Sequence, residues 1–445
     1  MPFLERHRLE RCTELLRLVA LRITAIVLQI AAQLLLGRLL GSAGLGLFQL
    51  VSTWLNVLGE TAAMGLPSRA MRTVSSSKDG ETIAQYRFLI KTLLVICASW
   101  ALLAGVTIGV YYYAPNFLPF DTDARQMSYL WVVLFGALGF AQLRLIAEVL
   151  KAQQHAQAAV FAESAGPVAV LLVGIGICTW LGVSDALQLA LIYVVGFAFT
   201  ASVLIGIFVV PNLISILSRS TEHGNSLELR MDTDLAALAS SGLLNILFVS
   251  FPFIVLPYVS SLREIGTFSV AFKLVNLIST ILLLLSALYG PKFAKAAKNG
   301  EAHCLADILR RTQLVSCLLY LPPLLVLALF SEDILLLFGE EFVVAKPYIY
   351  ALLVGQAINA ATGLSGVMLN MVGAGKHELL CSFSAISIAS LIALMMHNTM
   401  TTLDVAILFS AALAFKNLAS YGCAVLYIRN LSTVRAMSPL PMQTT

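Results

Sequence analysis

Apolar runs long enough to cross a bilayer fill almost the whole chain, separated by short polar breaks. Spanning ~30 Å of hydrocarbon takes about 20 helical residues. On that measure the pattern predicts twelve spans, near 18–40, 45–67, 88–113, 127–150, 158–181, 187–210, 236–259, 265–290, 312–337, 347–371, 379–397 and 403–428. The Leu, Ile, Val and Ala runs lack the two-residue alternation of barrel strands. Lipid offers no water to an exposed backbone, so the expected fold is all-α and polytopic. Almost nothing is left over for a soluble domain.

Composition agrees: 59% of the 445 residues are apolar and 12% charged, with a mean hydropathy of +0.88, whereas about a quarter of a soluble domain is charged. The distribution of Lys and Arg says more than the net charge of +4. If the N-terminus is inside, 19 of the 28 fall in inner segments, three (Arg125, Arg263 and Lys346) in outer loops, and six within spans. That bias predicts cytoplasmic termini. Residues 1–17 mix acids with arginines and lead into an apolar run too long for a signal peptide. They read as an amphipathic interfacial helix, with Phe3, Leu4, Leu15 and Leu16 toward the acyl chains, or as a frayed charged terminus. The seven cysteines are scattered, with no CxxC pair or neighbouring His cluster. No metal, cofactor or disulfide framework is expected from them.

The two halves repeat each other. Gly41-Ser42-Ala43-Gly44-Leu45-Gly46-Leu47-Phe48 is followed by Asn56, eight residues past the Phe, and by Gly65-Leu66-Pro67-Ser68-Arg69-Ala70. The second half answers with Gly266-Thr267-Phe268, Asn276 at the same spacing, and Gly290-Pro291-Lys292-Phe293-Ala294. Six spans per half is an even number, so the copies share one orientation, related by an axis along the membrane normal. The expected organisation is an interfacial segment 1–17, a six-helix lobe 18–210, a cytoplasmic linker 211–235, a second six-helix lobe 236–428 and a tail 429–445.

With these motifs, and with the linkers Leu150-Lys151-Ala152-Gln153-Gln154-His155 and Gly373-Ala374-Gly375-Lys376-His377 after spans four and ten, the chain resembles the oligosaccharide-lipid flippase branch of the multidrug/oligosaccharidyl-lipid/polysaccharide exporter superfamily. The likeness runs over the whole chain in span count and order and is sharpest from Leu36-Gly37-Arg38-Leu39-Leu40-Gly41 to Gly65-Leu66-Pro67. It implies two pseudo-symmetric six-helix bundles around a central lumen in the bacterial inner membrane. The implied task is to carry an undecaprenyl-diphosphate-linked oligosaccharide to the periplasm by alternating access, for O-antigen, capsule or exopolysaccharide assembly. The implied partners are that glycan, membrane lipids, and a polysaccharide polymerase and chain-length regulator, with no nucleic acid.

A flippase makes no bond. It needs a polar, cationic interior that stabilises a diphosphate and a glycan, and charged groups within spans usually face such a cavity. The first half carries Arg22, Arg38, Glu60, Lys91, Arg144, Glu148 and Glu163 within spans, and the second only Lys273 and Lys416, with no carboxylate in a span core. The second lobe is therefore expected to be purely cationic inside. Lys416, mid-span, reads as a lumenal cation for the diphosphate, or as a packing cation satisfied by Asn417, Ser420 or a neighbouring carbonyl. Lys273, Asn276 and Thr280 make one polar stripe, answered in the first half by Thr53, Asn56 and Glu60. Arg22 shares a face with Gln29 and Gln33 and suits either the lumen or the headgroups. Arg144 and Glu148 are spaced as an i, i+4 pair, which neutralises itself as readily as it binds ligand. Arg38 and Lys91 lie near span ends as anchors. Gln356, Asn359 and Gly363 form a further polar or small face.

Glu60 and Glu148 are the candidates for coupling to protons, since burial raises a carboxyl pKa; Glu60 held permanently by Arg22 or Arg144 is the alternative. Gly373-Ala374-Gly375-Lys376 lacks the spacing of a phosphate loop. Membrane potential supplies about 2.3 kcal/mol per charge at 100 mV. The rival reading is a cation-coupled multidrug or small-solute antiporter of the same superfamily, which should favour carboxylates and aromatics. An enzyme is not expected, because the longest outer loop, 114–126, has only 13 residues.

Overall fold

The computed structural model describes residues 2–76, 82–114, 124–182, 185–209 and 233–437. The side chains of 1–16, most of the 114–126 loop, the 211–232 part of the linker and the end of the tail lie outside the described residues. The expectations for the amphipathic face, Arg125 and the linker therefore lie there too. Every described element is helical: α1 Pro2–Ala63, α2 Leu66–Ser76, α3 Thr82–Tyr113, α4 Ala124–Ala152, α5 Ala156–Val160, α6 Gly166–Trp180, α7 Ala186–Leu204, α8 Thr233–Val255, α9 Leu262–Ile278, α10 Thr280–Lys298, α11 Ala302–Leu329, α12 Ser331–Leu336, α13 Lys346–Thr362, α14 Ser365–Met371, α15 Gly375–Met396 and α16 Thr402–Met437.

Among the described residues, eleven apolar segments are long enough to span a membrane, and the first, Ala20–Ala63, has 44 residues. At ~1.5 Å per residue it is twice as long as a bilayer is thick. It is broken at Gly41, whose φ of 66° and ψ of −178° no helix accommodates, into two pieces each long enough to cross, so the described residues offer twelve spans. The chain is a multi-pass membrane protein.

Several boundaries move. Span nine begins at Ala302 rather than 312, because a turn after α10 returns the chain at once into the next helix. Span eight carries a one-residue irregularity at Ser279 between α9 and α10, with helical φ −62° and ψ −19°, and the two run on as one 37-residue apolar segment, Leu262–Lys298. Thr280, at the end of the expected stripe from Lys273 and Asn276, turns its hydroxyl to the Leu277 carbonyl at 2.6 Å. Span ten breaks at Gly363, with φ 62°.

The chain divides into two compact units, Met1–Ser250 and Phe251–Thr445, with the division inside α8. The first unit packs Ala63, Leu66, Phe88, Ile96, Ala141 and Leu145 together. The second buries Leu285, Phe293, Leu305, Leu309, Met368 and Leu369 and a set of edge-on rings, Phe253, Phe268, Phe272 and Phe409. The two phenylalanines that set the repeat register, Phe48 and Phe268, are both buried. The linkers after spans four and ten close alike: the His155 N–H donates to the Leu150 carbonyl and the Ala374 N–H to the Leu369 carbonyl, both at 2.8 Å, five residues back. Each satisfies an orphan carbonyl at a helix end.

Candidate functional site

Among the described residues, polar clusters lie inside the helices of both units. In the first unit there is an ion network on α1, α4 and the segment joining α5 to α6. Pro167 has no N–H to give the Glu163 carbonyl four residues back, and the Gly166 N–H reaches five residues back to Phe161 instead, so Phe161–Ala165 forms a π-helical turn. Such turns redirect side chains and are frequent at functional sites. Here the turn carries Glu163, which sits 3.5 Å from Arg144 and also binds Lys151. Arg144 lies 3.7 Å from Glu60, and Lys151 lies 3.1 Å from Glu148. Gln29 donates to the Ser164 carbonyl of the same turn at 3.4 Å.

The network corrects the expected Arg144–Glu148 pair. Arg144 turns to Glu60 and Glu163, and Glu148 to Lys151, because Glu163 brings a carboxylate between the two cations on α4. Both coupling candidates, Glu60 and Glu148, are thus ion-paired. Gly242 on α8 makes room for Glu60: a Cβ there would lie 2.7 Å from the carboxylate. With three carboxylates against two cations, the network carries one excess negative charge when fully ionised. Arg22 and Asn56 are half-buried and Gln29 exposed. Among the described residues Arg22 makes no ion pair, so it does not join this network. Arg38 and Lys91 are exposed, as suits anchors.

In the second unit a chain of amides crosses three helices. Gln356 on α13, only 2% exposed, donates to Asn276 Oδ1 on α9 at 3.3 Å. Its own Oε1 accepts from the Ser279 hydroxyl at 3.0 Å and from Asn359 Nδ2 at 3.1 Å. Asn359 Oδ1 accepts from Asn417 on α16 at 3.0 Å. The helices come close enough for this because α13 presents Gly355 to α16, where its N–H donates to the Ser410 hydroxyl at 2.8 Å. Lys273, half-buried, stands one turn before Asn276. Gln356→Leu should strand Ser279, Asn276 and Asn359 together. An orphaned buried polar group costs ~1–3 kcal/mol; Asn276, Ser279 and Asn359 are half-buried, so a fall of a few degrees in the melting temperature of the detergent-solubilised protein is the expected reading.

Lys416 has an acidic partner, contrary to the expectation of a purely cationic second lobe. Its ammonium lies 3.4 Å from Glu378, with the two side chains 21% and 16% exposed, and the Ser420 hydroxyl binds the same carboxylate. Lys416 lies fourteen residues past the start of α16 and Glu378 in the first turn of α15. The flexible four-carbon lysine stem lets the ammonium reach a carboxylate on another helix. Gly366 on α14 leaves the space, since a Cβ there would lie 2.8 Å from the Glu378 carboxylate. The second unit is therefore not purely cationic. Glu378 and Lys151 escaped notice because each sits at a span edge, read as a loop position. Glu163 was visible as a span charge, and the Gly166-Pro167 pair after it was the available sign of a disturbed helix.

No protein-family profile matches the sequence, and no curated protein sequence matches it. Solved structures do. An inward-facing multidrug resistance MATE family transporter of the MOP superfamily superposes with a TM-score of 0.71, at 12% identity, over 93% of this chain and 99% of that one. The lipid II flippase MurJ in an inward closed conformation gives 0.61 at 13% identity over 95% and 93%. A MOP superfamily transporter from Pyrococcus furiosus Vc1, described as having a binding pocket of reverse polarity, gives 0.58 at 14% over 94% and 96%. At these identities the likeness speaks for architecture: the chain has the all-helical fold shared by MATE transporters of the MOP superfamily and the flippase MurJ.

Proposed function

We propose that this protein is a transporter, not an enzyme. It moves an undecaprenyl-diphosphate-linked oligosaccharide across the bacterial inner membrane for surface polysaccharide assembly, with both termini in the cytoplasm. The observation that carries the reading is the amide chain Asn276–Gln356–Asn359–Asn417 within the spans of the second unit, with Lys273 and Lys416 on the same helices. Amides both donate and accept, which suits the hydroxyls of a glycan. Lysines act as mobile point charges suited to transient capture of a diphosphate. The sequence resemblance and the lipid-linked cargo of MurJ point the same way. Glu60 and Glu148 are proposed to couple transport to protons, since neutralising either carboxylate removes one of the two acidic partners of its cation and leaves that cation to Glu163 alone. A polymerase and a chain-length regulator would act on the product.

One observation favours the multidrug or small-solute antiporter: the excess carboxylate in the first unit, which suits a cationic cargo. A single pair of measurements separates the two. Deletion should strip the cell of one surface polysaccharide while lipid-linked units accumulate on the inner leaflet, and overexpression should leave drug susceptibility unchanged. Intact polysaccharide together with raised drug resistance would overturn the proposal in favour of the antiporter.

A further inference from the structure

Cys381 on α15 and Cys423 on α16 face each other with their sulfurs 4.0 Å apart. Cys381 is buried and Cys423 half-buried, and both are free thiols. The two helices pack against each other, and small residues on them, Ala385, Ala389, Ser420 and Ala424, are buried, as close helix packing favours. A disulfide needs its sulfurs at ~2.05 Å, so about 1 Å of movement by each thiol closes the gap. Cys381 stands one turn past Glu378, and Cys423 one turn past Ser420, so the thiols flank the Glu378–Ser420 hydrogen bond.

We propose that this pair is a redox site which closes to an intramolecular disulfide, stapling α15 to α16 beside the Lys416–Glu378 ion pair and arresting transport until it is reduced. The oxidant class fitting its place is a lipid-soluble quinone, because the thiols lie within apolar spans that exclude polar oxidants. Both S–H bonds break and one S–S bond forms. The two protons and two electrons leave together and convert the quinone to the quinol. The consequence for transport rests on the function proposed above; the chemistry of the thiols does not.

The test uses the full chain in proteoliposomes, treated with a short-tailed benzoquinone, alkylated, digested and analysed by mass spectrometry. The expected result is a Cys381–Cys423 cross-linked peptide lighter by two hydrogens, reversed by dithiothreitol and absent from Cys423→Ser. Transfer of lipid-linked oligosaccharide should fall with the linked fraction and return on reduction. Recovery of both cysteines alkylated after quinone treatment of the native chain would overturn the site. A complete link that leaves transfer unchanged would overturn the arrest. Absence of transfer in the reduced protein too, with the link still forming, would count against the transport reading alone.

Discussion

Lys416→Ala should abolish transport while the protein still reaches the membrane. The substitution removes a cation proposed to meet the diphosphate and leaves Glu378, 16% exposed, without its counter-charge. Breaking a well-buried pair from one side costs ~3–5 kcal/mol, because the abandoned charge stays desolvated. Lys416 and Glu378 keep some exposure, and about 2–3 kcal/mol is expected here on the same grounds. Stability and transport can be separated with the double variant Lys416→Met, Glu378→Gln. It carries no buried charge and should recover most of the lost melting temperature, while transport should stay absent if the ammonium handles substrate. Normal transport by Lys416→Ala would remove the residue from the mechanism.

Gly65→Ala should be strongly damaging. Gly65 lies just past the end of α1 with φ +70°, and a Cβ there would come within 2.5 Å of the Ala239 backbone nitrogen on α8. Nothing in that neighbour is a flexible side-chain end that can turn away. A positive φ costs a residue with a Cβ ~1 kcal/mol, and forcing packed helices apart adds ~1–3 kcal/mol. The total of about 2–4 kcal/mol should appear as a lower melting temperature and reduced amounts in the membrane. Gly105→Ala on α3 is the control: a Cβ there meets nothing within 4 Å, and wild-type stability is expected. A Gly65→Ala protein that melts like the parent would mean that α8 does not pack on this turn.

The site was legible in part. Lys273, Asn276, Gln356, Asn359 and Lys416 could be picked out because polar residues inside spans are few. The amide chain draws together Asn276, Gln356, Asn359 and Asn417 from three helices that lie far apart in sequence. The error lay in the charges. Arg144 and Glu148 have the spacing of a pair, yet a carboxylate from a π-helical turn intervenes. Lys416 looked solitary because its partner sits 38 residues away in the first turn of another helix. Spacing along one helix reports only neighbours on that helix, and both of these partners come from a different one.

The sequence by itself determined that the chain is a bundle of membrane-spanning helices. Lipid admits no other backbone arrangement for runs this long and apolar, and their number follows from length divided by bilayer thickness. It also determined the internal repeat, whose Phe register survives as Phe48 and Phe268, each in a core. Only the tertiary structure decided which charge meets which and where helices break. Those outcomes depend on close approaches such as Gly366 to Glu378 and Gly242 to Glu60, where a missing methyl group makes the space a carboxylate needs, and such spaces exist only once the helices have packed.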